Sequence, residues 1–90
     1  MKQEELLVEL EQLAQQLGVV VRYEKGDFEG GYCILKADRM LLINKRLMAN
    51  KKSSVFALAL TEIGLENIFI KPAVREYIED EDARTARSVR

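Results

Sequence analysis

The 90 residues contain no histidine and no tryptophan, a single cysteine and a single proline. The missing histidine excludes the most. Imidazole is the side chain that titrates unaided near neutral pH, and it is the commonest zinc ligand. Triads with a histidine base, zinc hydrolases and histidine-held haem are therefore poor candidates. Cys33, alone, closes no intrachain disulfide and builds no multi-cysteine zinc site, and a lone thiol fits a reducing cytoplasm. No run reaches the roughly 18 apolar residues of a membrane span. The opening residues Met1-Lys2-Gln3-Glu4-Glu5 lack the apolar core of a leader. The expectation is a chain neither exported nor membrane-embedded, with no cofactor.

What is present describes a small folded domain. Apolar residues make up 48%, glycine and proline are few, and the net charge is −1, with no global pull toward nucleic acid or anionic lipid. One core is all that such a length supports. The patterning predicts one α+β domain over residues 1–79 and a charged, disordered tail over residues 80–90, where apolar side chains almost vanish.

Leu6, Leu7, Leu10, Leu13, Ala14 and Leu17 form the stripe of an amphipathic helix, stopped by Gly18. Val19, Val21 and Tyr23 then alternate with Val20, Arg22 and Glu24 as a first strand. A glycine-bearing loop over residues 25–31 leads to a second strand over 32–37. A turn at Ala37-Asp38-Arg39 leads to a third strand over 40–44, making a hairpin. Val55, Phe56, Ala59, Leu60 and Ile63 predict a second helix capped by Asn50 or Ser53, and Gly64 ends or interrupts it. Lys71 is a break before Pro72, which suits the first turn of a short third helix carrying Val74, Tyr77 and Ile78. The expected architecture is a mainly antiparallel three-stranded sheet with the first two helices on one face and the third helix at its edge.

Leu17-Gly18-Val19-Val20-Val21, Leu42-Ile43-Asn44-Lys45-Arg46-Leu47 and Phe56-Ala57-Leu58, in this order, resemble the small zincin-like core of the ImmA/IrrE group of metallopeptidases over residues 7–66. That group's zinc helix carries His-Glu-x-x-His. The matching word here is Thr61-Glu62-Ile63-Gly64-Leu65, with Glu62 kept and both histidines replaced. The resemblance therefore implies a zincin-like fold without metal and without peptidase activity.

Cys33 lacks the imidazole that would activate it, and the hairpin pattern reads it as a small buried hydrophobe beside Leu35 and Ala37. Phe28-Glu29-Gly30-Gly31-Tyr32 lacks phosphate-loop spacing and reads as a bulged strand entry. A carboxylate enzyme using Glu62 with Glu29 or Asp27 has no spacing to support it.

Residues 36–52 hold six basic side chains, Lys36, Arg39, Lys45, Arg46, Lys51 and Lys52, against Asp38 alone. As one patch they would suit a polyanion or nucleic acid, although no stacking aromatics accompany them. Residues 40–43 are apolar on both faces, and two helices cover only one. Ile34, Leu41, Ile43, Phe28 and Tyr32 are thus the candidate interaction residues. The favoured function is a non-catalytic homodimer or protein-binding module, with the anion-binding module as the alternative.

Overall fold

The computed structural model describes the backbone of residues 1–88 and the side chains of residues 1–85. The chain runs α1 (Gln3–Gln16), β1 (Val20–Glu24), β2 (Gly30–Leu35), β3 (Asp38–Asn44), α2 (Ala49–Ile63) and α3 (Pro72–Ser88). The α+β class and the three-stranded sheet agree with the sequence pattern. The sheet, however, is mixed rather than mainly antiparallel: its order is β1-β3-β2, and β1 runs parallel to the central β3 while β2 runs antiparallel to it.

That order explains the loop. β1 and β2 flank β3, so residues 25–29 must cross about 10 Å, two strand spacings, over the C-terminal end of β3. Asn44 closes β3 beneath that crossing. Its buried amide Nδ2 donates to the carbonyls of Gly26 (2.7 Å) and Phe28 (2.6 Å), and its Oδ1 accepts from the Arg46 amide at 3.0 Å. Gly30, at the start of β2, has φ +127°, and a Cβ there would lie 2.1 Å from the Leu42 carbonyl oxygen, so only glycine fits.

The hairpin turns one residue earlier than expected. Leu35 pairs with Asp38, which leaves Lys36 and Ala37 as the two-residue loop, with Lys36 at φ 60°. Gly18 (φ 74°) follows α1, whose last turn is held by the Arg39 guanidinium donating to the Leu17 carbonyl. A cation suits that end of the helix dipole.

Leu41 and Ile43 of β3, the strand that lies against α2, are fully buried and belong to the same core as Leu10, Phe56 and Leu60. α2 is the central helix, in contact with α1, α3, β2 and β3, which accounts for burial around much of its surface: Ser53, Val55, Phe56, Ala57, Ala59 and Leu60. Met48, not Asn50 or Ser53, is its N-cap residue, and Gly64 (φ 100°) ends it. Ser53 is enclosed, and among the described residues its hydroxyl has no hydrogen-bond partner.

α3 departs from the sequence reading in position and length. It begins at Pro72, as expected, but packs on α2 and α1 and, among the described residues, touches no strand, so it is a layer behind the helices rather than an edge of the sheet. It also continues to Ser88, whereas composition predicts disorder from residue 80. Val74, Ile78 and Glu81 make its buried stripe, and Ile70 is buried just ahead of it. Residues 89–90 of the expected tail lie outside the described residues. Among the described residues, no helix is long and apolar enough to cross a membrane.

Candidate functional site

With α1 and α2 on one side of the sheet and α3 stacked behind them, the other side carries no helix among the described residues, and only the crossing loop covers its end at Asn44. Pairing register assigns each strand residue to a side. Val21 and Tyr23 of β1 and Tyr32 and Ile34 of β2 are aligned with Leu41, Ile43 and Arg39 on the helix side. Val20, Arg22 and Glu24, together with Gly31, Cys33 and Leu35, are aligned with Leu42, Met40 and Asn44 on the open side. The open side thus carries Val20 (49% exposed), Leu35 (55% exposed), half-buried Met40 and Leu42, and exposed Cys33. Its only charged side chains within the strands are Arg22 and Glu24, which pair with each other at 2.8 Å, and Asp38 beside the turn.

The candidate interaction residues are sorted unevenly by this arrangement. Leu41 and Ile43 are 0% exposed in the chain's own core, so they offer nothing to a partner. Phe28 is half-buried in the crossing loop, and Tyr32 is half-buried beside α2. Ile34 is 65% exposed: it faces the helix side but lies near the hairpin tip, beyond the cover of the helices. Val20, Met40, Leu42 and Leu35 were missed. A strand apolar on both faces gives no alternation from which to tell core from open side. Cys33 is likewise on the open side and exposed, not a buried hydrophobe.

The basic residues do not make one patch. Arg39 and Lys45 lie at opposite ends of β3, about 20 Å apart for six residues of strand, and Lys36 stays with Arg39 at the hairpin end. Arg39 is engaged with the end of α1. Lys45, Arg46 and Lys51 are exposed at the other end, and the Lys52 ammonium sits 5.6 Å from the centre of the Tyr23 ring. Burial, then a hydrogen bond to Glu11, pushes the Tyr23 phenol well above its ordinary range, so it stays neutral beside that ammonium.

A second feature is the cleft between α2 and β2, lined by Glu29, Gly30, Gly31, Tyr32, Val55, Leu58, Ala59 and Glu62. It brings together two of the three carboxylates considered for catalysis, both exposed. Thr61 spends its hydroxyl on the Ala57 carbonyl at 3.0 Å, and Leu65 falls beyond the end of α2. The two positions that would hold a metal in the zinc motif are thus not on one helical turn. Among the described residues no group of three or more His, Cys, Asp or Glu side chains is placed to hold a metal ion.

No family profile, curated protein or solved structure matches this chain.

Proposed function

We propose that this is a non-catalytic cytoplasmic interaction module that works as a homodimer through its uncovered sheet. The observation that carries this reading is the open side itself. Val20, Cys33, Leu35, Met40 and Leu42 form apolar surface across all three strands, with every helix on the other side. Contiguous apolar surface of that kind is costly in water and marks protein contacts. A two-fold contact uses one surface twice, and one made at the β2 side of the sheet takes Leu35, Cys33 and the flank of Leu42 out of water in both copies.

Sedimentation equilibrium across the micromolar range tests the reading. The expected result is a reversible monomer–dimer equilibrium that Leu42→Asp shifts at least tenfold toward monomer with the circular dichroism spectrum unchanged. Ile43→Asp is unsuitable, because it would unfold the core. A strict monomer to several hundred micromolar would overturn the proposal. Salt separates it from the polyanion reading, because an apolar contact persists at high salt whereas phosphate contacts weaken steeply.

A further inference from the structure

The two free edges of the sheet differ. β1 carries Arg22 and Glu24, while β2 is Gly-Gly-Tyr-Cys-Ile-Leu, with no charge and no proline to discourage pairing. The direction of the free backbone groups on β2 follows from the ladder. The Asn44 amide donates to the Glu29 carbonyl at 3.1 Å, one step beyond the Gly30–Ile43 pair. In an antiparallel ladder directly bonded pairs alternate, so residues 31, 33 and 35 turn toward β3 and Tyr32 and Ile34 point N–H and C=O away from the sheet.

Resting on the homodimer reading above, we propose that the second copy docks at this edge: β2 pairs antiparallel with β2 of the other copy about a two-fold axis at Cys33, giving one six-stranded sheet. A two-fold axis that keeps both sets of helices on one side requires facing residues to come from the same side of the sheet. Only registers centred on a residue meet this condition, and centring on Cys33 matches the side chains on both faces. On the open side Leu35, 55% exposed, stands two residues after Cys33, and Gly31 stands two before. Leu35 of each copy therefore faces Gly31 of the other. A Cβ on Gly31 would meet nothing within 4 Å, so there is a notch beside its pairing partner Leu42 to receive that leucine. This happens twice.

On the helix side, exposed Ile34 of one copy faces Tyr32 of the other, an aromatic and β-branched pair that favours adjacent strands. Lys36, in the turn just past Leu35, comes near Gly30 of the other copy, at the cleft that Glu29 and Glu62 line. The lysine thus meets two carboxylates in a place with no side chain of its own. Centring one residue earlier, on Tyr32, would set Glu29 against Leu35 and two tyrosines against each other, and the leucine would lose its notch. A foreign strand could use the same free backbone groups, but the knob and the notch lie two residues to either side of Cys33, and Glu29 and Lys36 flank the same segment with opposite charges.

The native thiol reports the register. In this arrangement the two Cys33 residues face each other at a non-hydrogen-bonded position, with Cα atoms about 4.5 Å apart, within disulfide reach. Oxidation of the wild-type chain by copper phenanthroline and dioxygen at a dimer-populating concentration should give a disulfide-linked dimer within minutes. In a Cys33→Ser background, Leu35→Cys should cross-link at least tenfold more slowly, because the two copies of residue 35 lie about 14 Å apart along the strands. A dimer in sedimentation that cross-links no faster through Cys33 than through Leu35→Cys would overturn this register and leave the homodimer reading standing. A strict monomer would overturn both.

Discussion

Ser54 on α2 donates a hydrogen bond of 2.7 Å to the carboxylate of Glu81 on α3. Glu81 is 8% exposed and also accepts from Arg84, one turn along its own helix. The contact ties the acidic stretch to the fold. Burial alone would raise the Glu81 carboxyl pKa, but the bonds from Arg84 and Ser54 and the nearby charges of Arg84 and Lys51 outweigh it, so the net shift is downward.

A depressed carboxylate stabilises the fold above its unfolded pKa, and that contribution is lost as pH falls through the lower folded value. Glu81→Gln should therefore cost about 1–2 kcal/mol at pH 7. The gap from wild type should close below the ordinary carboxylate range, as both chains become neutral at this position. Urea denaturation at pH 7 and in steps down to acid pH measures it. A gap that stays constant with pH would show that packing, not charge, is what Glu81 contributes.

The loop over β3 depends on one amide. Asn44→Ala would leave the Gly26 and Phe28 carbonyls without their donor and remove the acceptor of the Arg46 amide. The expected loss is about 2–3 kcal/mol, several bonds each contributing about 1. Asn44→Asp keeps the acceptor but turns the donor into a carboxylate facing two carbonyls, so it should be at least as damaging. Thermal melts and hydrogen exchange of the amides in residues 25–30 measure the two effects. Unchanged exchange there would mean that the crossing is held by its backbone bonds alone.

Helices were the legible part of the sequence. Leu6, Leu10 and Leu13, and Phe56 with Leu60, keep a spacing that puts one stripe on one neighbour, and Gly18, Gly64 and Pro72 mark ends through backbone constraints they always carry. The sheet was less legible because its order is set by long-range pairing. Nothing local in Val20–Glu24 says that it lies parallel to Asp38–Asn44 across a strand that comes between them in the chain. Lys36 at φ 60° hides the turn, since lysine is no turn signal, and the residues after Asp80 read as solvated until Glu81 finds Ser54 from 27 residues away. The interaction surface was legible as a surplus, too many apolar residues for two helices to cover. Which residues made up the surplus needed the register.

The zinc-motif positions carry their own test. Thr61 is bonded to the Ala57 carbonyl and Leu65 lies past Gly64, where α2 has ended. Restoring a site would need a longer helix as well as two imidazoles. The purified chain is expected to hold no stoichiometric zinc by elemental analysis, and EDTA should leave its melting temperature unchanged. The double variant Thr61→His/Leu65→His should also bind zinc weakly at best. Tight binding by that variant would mean that the helix end is easily extended, and would strengthen the zincin resemblance.

The adjacent glycines of β2 should behave in opposite ways. Gly30 has φ +127°, and an added Cβ would come within 2.1 Å of the Leu42 carbonyl oxygen and 3.1 Å of the Ile43 Cα, both backbone atoms of the central strand that cannot swing aside. Gly30→Ala therefore faces a forbidden backbone angle and a clash together, and should cost about 3 kcal/mol or more. Gly31 has no positive φ and open space where its Cβ would be, so Gly31→Ala should leave the monomer unharmed or stabilise it by about 0.5 kcal/mol through the unfolded chain. In the dimer the sign changes at Gly31, because its open space is the notch for Leu35 of the other copy. A methyl there crowds the contact, and a larger side chain fills it. Gly31→Val should fold at least as well as wild type by thermal melting of the dilute monomer, yet dissociate at least tenfold more readily by sedimentation. If Gly31→Val dimerises like wild type, the notch is not part of the contact. If Gly30→Ala folds normally, the β2–β3 ladder at Leu42 is looser than the register implies.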